Sequence, residues 1–292
     1  VACRLGRELM PPRSNPTARQ ARLGAELRKL REAAGLSTTE AGALLGGNQA
    51  QISHIEAGRW GVSAARVRQL AVHYEASHGE LLDALCAMAE ERGKQWWDEY
   101  RGVLAPGFLD VAELEYRAAS LRSLQTVTLP GILQTEDYVR AIYGGHIPVL
   151  PADEVELRVE FRTRRQQIFA RADPPSFEAF IHEAALRMRF GGGKVTRAQL
   201  SHLRAASEWP SVKVRVIPFA NEEFIEATQP VLYAGGPVSE LDTARVSGAL
   251  GGHSLGTDAG LKKYRTLFAV ADRTALGVKA SRQLIHDIEK EL

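Results

Sequence analysis

The chain has 292 residues, 45% of them hydrophobic, and a net charge of +2, which is length and apolar content enough for two globular cores. No apolar run approaches the ~20 residues of a membrane span and the first residues show no h-region with a cleavage site, so the sequence reads as cytoplasmic, with no membrane partner. Two cysteines, Cys3 and Cys86, make neither a disulfide framework nor a cysteine metal cluster, and no cofactor or metal is expected.

The charge is unevenly divided. Residues 1–34 carry eight Lys/Arg against three acids, and residues 35–292 carry twenty-nine against thirty-two. Residues 1–16, with three prolines and no periodicity, read as a disordered basic tail. Ala18 to Ala34 then places Leu23, Leu27 and Leu30 on one face of an amphipathic helix. Ser37 and Glu40 have capping-box spacing and predict a second helix start. Gly46 and Gly47 break that helix, because glycine tolerates the left-handed backbone of a sharp turn. Asn48 can cap a third helix, with Gln51 at the reciprocal position. Ile52 and Ile55 would face inward, leaving Gln49, Ala50, Gln51, Ser53 and His54 on other parts of the surface. Two short helices joined by a tight glycine turn, the second opening on amides, have the shape of a reader of base edges. Segments 63–75 and 79–92 repeat the amphipathic pattern and bring the helices to five.

These residues resemble the lambda- and 434-repressor type of helix-turn-helix, the XRE family, over roughly residues 18–92. The resemblance implies base contacts from Gln49, Ala50 and His54 and a structural ion pair between Arg31 and Glu56. Gln49 suits a bidentate contact to adenine, and Ala50 could meet a thymine methyl. Thr38 stands where the family often has Gln, and Ala41 where it has a larger apolar residue. Arg19 and Arg22, in the basic segment, are expected to meet phosphates.

Trp96, Trp97, Tyr100 and Pro106 suggest that residues 93–109 form a packed connector. Adjacent tryptophans are expected to face apart, one plugging each domain, which makes Trp96, Trp97 and Tyr100 candidates for interdomain coupling. Beyond it, helices at 114–121, 135–143, 153–171, 196–208, 259–271 and 280–291 alternate with strands at 124–129, 177–181, 212–219 and two or three between 230 and 247. The loops at 219–234 and 247–260 could border a pocket. The fold expected is an all-α five-helix reader (17–92) followed by an α+β domain with a mixed sheet (110–292).

The strings WWDEY (96–100), LPGILQTEDYVRAI (129–142), RTRRQQI (162–168), HEAALR (182–187), AQLSHL (198–203) and VKVRVIPF (212–219) resemble the actinobacterial WhiJ-like regulators. The resemblance implies a transcription factor with a C-terminal domain of uncharacterised function and, often, a small partner protein encoded nearby. Some such pairs resemble an antitoxin and its toxin.

Enzyme-like strings lack their settings. Gly252-His253-Ser254-Leu255-Gly256 spells a nucleophile elbow, but too little chain follows for a hydrolase sheet, and a loop is expected there. His182-Glu183 lacks the second histidine of a zinc helix, since position 186 is Leu, and no catalytic residue is assigned. The arginines at 158, 162, 164, 165 and 171 fit a solvated helix face paired with Glu154, Glu156 and Glu160 better than an anion pocket. The sequence thus reads as a DNA-binding regulator with a double-stranded operator, acting as a homodimer and answering to a protein partner or small-molecule effector. The alternative is an antitoxin-like protein that sequesters a small partner.

Overall fold

In the computed structural model, which describes residues 15–76, 79–91, 93–223, 229–248 and 251–292, the chain forms two units, residues 1–94 and 95–292. The proposed tail at 1–16 lies outside the described residues except for its last two, as does Cys3.

The first unit is helical: α1 (Ala18–Ala33), α2 (Thr38–Leu44), α3 (Gln49–Glu56), α4 (Ala64–His73) and α5 (Gly79–Glu90). Polar side chains set four of the starts. Thr17 and Gln20 form a capping box at α1 and Ser37 and Glu40 another at α2, while Asn48 and Ser63 cap α3 and α4, each cap contributing about 1 kcal/mol. Leu27, Ala41, Ile52, Val67, Leu70 and Leu85 are fully buried, one stripe from each helix closing a single core.

The second unit carries a six-stranded mixed sheet in the order β3-β2-β1-β4-β5-β6, built from β1 (Ser120–Gln125), β2 (Ser176–His182), β3 (Val212–Ile217), β4 (Val231–Gly235), β5 (Thr243–Gly248) and β6 (Gly251–Leu255). β1, β2 and β3 run parallel; β4 joins β1 antiparallel, and β5 and β6 continue antiparallel. Period-2 alternation sorts the side chains by face. Leu121, Phe177, Ala179, Ile181, Val212, Val214 and Val216 pack with α10 (Gly192–Ala206) and α12 (Val278–Lys290). Leu124, Phe180, Ile217, Tyr233 and Val246 pack on the opposite face with α11 (Asp258–Thr274). Parallel strands covered on both faces explain the near-continuous apolar run of β2. Of the remaining helices, α6 (Pro106–Arg117) precedes β1, while α7 (Glu136–Gly144), α8 (Ala152–Arg164) and the short α9 (Glu183–Arg187) lie in the crossovers between the parallel strands.

Several expectations shift. The helix placed at 114–121 is α6, which begins at Pro106 because proline suits the first turn. The strand placed at 124–129 is β1, since Leu121 and Leu124 are needed on the two sheet faces. Residues 153–171 make α8 and then a 3-10 turn over Arg165–Ala170. The segment 251–255, expected as a loop, is the edge strand β6, paired to β5 through the Ala244–Leu255 to Gly248–Gly251 register. Parts of the supposed pocket loops, 224–228 and 249–250, lie outside the described residues.

The connector at 93–109 also differs. Trp96–Tyr100 is a 3-10 turn whose aromatic rings belong to the second unit. Trp97 packs on Tyr116 with centroids 5.2 Å apart, and Trp96 on Phe161 at 5.2 Å. Adjacent residues on a 3-10 turn project about 120° apart, and one aromatic cluster around Phe161, Leu104 and Leu109 accepts both.

The arginines of α8 are not a solvated face. Among the pairs expected there, only Arg158 with Glu154 forms; Glu156 pairs instead with Arg140 and Glu160 accepts from the Tyr100 hydroxyl at 2.6 Å. Two sides of α8 are buried, Val155 and Val159 in one apolar cluster and Phe161 in another, so the intervening arginines must find partners inside the protein.

Candidate nucleic-acid interface

Two close approaches fix how α3 stands against the rest of the first unit. At Gly46 the backbone enters the left-handed region, φ +65°, and turns α2 into α3 without the penalty a side chain would bring. At Gly24, on α1, a Cβ would lie 2.3 Å from the Glu56 carbonyl oxygen, so only glycine permits α1 and α3 to touch backbone to backbone. Beside that contact Arg31 grips Glu56 with two hydrogen bonds, Nε to Oε1 at 2.6 Å and Nη2 to Oε2 at 2.9 Å, and also donates to the Leu36 carbonyl. Both side chains are under a tenth exposed. The hydrogen bond to Glu56 raises the Arg31 pKa, and burial followed by the Glu56 charge pushes the neighbouring Tyr74 up to about 12.

Along α3, steps of about 100° per residue bring positions 49, 50, 53 and 54 onto one face. Gln49, Ala50 and Ser53 are exposed there, His54 is half-buried, and Ile52 on the opposite side is fully buried. The His54 ring rests on Trp60, centroids 5.0 Å apart and tilted by 35°. Trp60 was not singled out from sequence. Its signal is weak: an aromatic residue just beyond a helix that starts with amides. Gln51 lies off this face, and its amide oxygen occupies the space a Cβ on Gly47 would need, so it closes the turn from within.

Thr38 is the first residue of α2 and is half-buried. Arg19 and Arg22 are engaged inside the unit. Arg19 pairs with Glu91 at 2.6 Å and Arg22 with the buried Glu26 at 3.2 Å, so phosphate contact would compete with these ion pairs. Arg59, immediately after α3, is exposed.

Residues 22–85 match the model of a helix-turn-helix domain. The first unit is therefore a DNA-binding domain of that class. Residues 108–287, more than half the chain, match the model described as a domain of unknown function, DUF5753. The chain belongs to the DUF5753 family. No curated protein and no solved structure matches it.

In this DUF5753 protein the enzyme-like strings take structural places. Ser254 is exposed on an edge strand, with Arg245 Nη1 at 3.4 Å from its Oγ. His286, which would have to serve it, instead meets Arg204 at 2.8 Å on α10. Glu183 accepts from the Phe219 amide at 2.9 Å and from Arg187 at 2.8 Å. Among the described residues no three His, Cys, Asp or Glu side chains are grouped as a metal site, and no helix is long and apolar enough to cross a membrane.

Proposed function

We propose that this DUF5753 protein is a cytoplasmic, sequence-specific transcriptional regulator that reads an operator through the outer face of α3, with Gln49, Ala50, Ser53 and His54 at the base edges. The supporting observation is the coincidence of an exposed polar face on α3 with a rigid clamp behind it, Gly24 against the Glu56 carbonyl and Arg31 on the Glu56 carboxylate. A reading helix must be held to within a fraction of an ångström for bidentate contacts to discriminate. Gln51 then supports the turn, while Thr38 and Arg59 face phosphates, which position the reader without specifying sequence. A single such reader contacts few bases, so two copies bind half-sites about 34 Å apart. The second unit brings the copies together and binds the partner or effector that controls them. The turn carrying Trp96, Trp97 and Tyr100 follows directly on the reader in the chain and transmits that control.

The test is selection of fragmented genomic DNA by the full-length protein and by Gln49→Ala. The parent should retain fragments bearing two copies of one motif a helical turn apart. Gln49→Ala should lose preference at one base position per half-site, worth about 1–3 kcal/mol, and keep its fold. An unchanged motif in the variant would remove α3 as the reading helix.

A further inference from the structure

Arg162 is held in a setting that a permanent cation does not ordinarily accept. Its Nη1 donates to Gln134 Oε1 at 2.8 Å and its Nη2 to the Tyr143 hydroxyl. Both acceptors are neutral and both residues are buried. No carboxylate among the described residues pairs with Arg162: the guanidiniums of Arg165 and Arg158 act against its charge, and Glu115, which acts in its favour, is held by Arg165. Burial, first of all, holds the Arg162 pKa below its ordinary value. Arg165 next to it shows the usual solution, a bidentate bridge to the buried Glu115 with Nε to Oε2 at 2.8 Å.

Arg158 extends the arrangement. Its guanidinium lies 5.4 Å from the Tyr143 ring centroid, the same ring that Arg162 covers at 4.7 Å, and 5.2 Å from the Phe108 ring. One Arg158 nitrogen pairs with Glu154, but its Nε is buried without a hydrogen-bond partner. Two guanidiniums therefore meet over one aromatic ring with donors left over, and Arg162 keeps part of its surface open to solvent. Desolvating like charges beside one another is costly unless an anion completes the set, and planar guanidinium forks are matched to the oxygens of phosphate and carboxylate.

We propose that Arg158 and Arg162, supported by Gln134 and the Tyr143 hydroxyl, bind the oxyanion group of a small molecule, a phosphate ester or a carboxylic acid, in the second unit. The inference gives the effector of the regulatory reading above a chemical class and rests on that reading only for its consequence. Phe161, between these arginines in sequence on α8, packs against Trp96 and Tyr100 with centroids 5.2 and 4.9 Å apart. A bound oxyanion would thus act on the turn that follows the reader, and can shift DNA affinity only by the difference in its own affinity for two states.

Binding is measured without DNA, so failure here leaves the DNA-binding reading standing, and the reverse. Full-length protein is titrated calorimetrically with inorganic phosphate, pyrophosphate, acetate and citrate, with chloride at matched ionic strength as control. Saturable binding of one class, phosphates or carboxylates, is expected, and the stronger class identifies the source. Arg162→Met should weaken it at least tenfold while leaving the melting temperature of the free protein unchanged or higher, since a buried cation lacking a carboxylate is removed. Gly131→Asp is the second variant. A Cβ there lies 3.6 Å from Arg165 Nη2 and 4.0 Å from Arg162 Nε in ordinary contact, so the new carboxylate supplies the missing charge from within, raising the melting temperature and abolishing binding. The proposal is overturned if neither class saturates at millimolar concentration. It is equally overturned if both variants bind as the parent does, or if Arg162→Met alone melts well below the parent, which is the behaviour of a purely structural arginine.

Discussion

Arg31 in the first unit is buried and Arg162 in the second is half-buried, and the two are treated in opposite ways. Arg31 in the helix-turn-helix unit meets Glu56 through two hydrogen bonds and a backbone carbonyl through a third. Arg162 in the DUF5753 unit meets only an amide oxygen and a phenol. Their pKa values move accordingly, Arg31 upward through the Glu56 hydrogen bond and Arg162 downward through burial. A charge neutralised within its own unit fixes geometry, as the proposed reading role of α3 requires. A charge left on neutral partners keeps affinity in reserve for something from outside.

The comparison is broken most directly at its neutralised end. Glu56→Ala leaves the buried Arg31 without its counter-charge and should cost about 3–5 kcal/mol, seen as faster amide hydrogen exchange throughout α1 and α3 in the full-length protein. A loss below about 1 kcal/mol would mean that Arg31 is solvated and the contrast with Arg162 is false. A smaller effect sharpens the role of the clamp. Gly24→Ala drives a methyl group into the Glu56 carbonyl at 2.3 Å and should destabilise by about 1–3 kcal/mol through overpacking. Because it displaces α3 bodily, operator affinity should fall by more than the loss in folding stability explains. Equal losses would show that the helix pair merely unfolds in part.

The mildest test uses alkali. Burial, first of all, pushes Tyr74 in the first unit and Tyr138 and Tyr233 in the second up to about 12. Each folded-state value lies above the unfolded value near 10, so the stability these groups contribute is complete below pH ~10 and is lost as the pH rises through about 12. Denaturation midpoints should therefore fall across that window. Tyr138→Phe, which removes a buried hydroxyl whose nearest polar neighbour is the Leu129 backbone, should flatten the fall at little cost at neutral pH. An unaltered slope would show that Tyr138 does not contribute to it.

Of the first unit, the starts of α2 and α3 were legible because caps act over three residues: Ser37 and Asn48 each bond to the backbone of the third residue onward, as Thr17 and Ser63, not read as caps from the sequence, also do. The outward position of Gln49, Ala50, Ser53 and His54 follows from helical periodicity alone. Gln51, expected on the surface and at the reciprocal position of the Asn48 cap, has its amide drawn back over Gly47, a matter of side-chain packing that spacing does not encode. The stretch Val212–Ile217 was legible as a strand from its alternation, while β6 was not, since Gly251 and Gly252 carry no apolar pattern and the strand exists only because β5 offers an edge.

The sequence alone thus determined what depends on neighbours within a turn or two: capped helices, the glycine turn, alternating strands, and with them an all-helical first part followed by an α+β part with a mixed sheet. Only the tertiary structure decided which charges are buried and what they meet. Arg158, Arg162 and Arg165 are nearly equivalent as letters, yet one pairs with Glu154 on its own helix, one with Glu115 fifty residues away and one with no carboxylate among the described residues. Desolvation and counter-charge depend on distance in space, which a one-dimensional pattern does not contain.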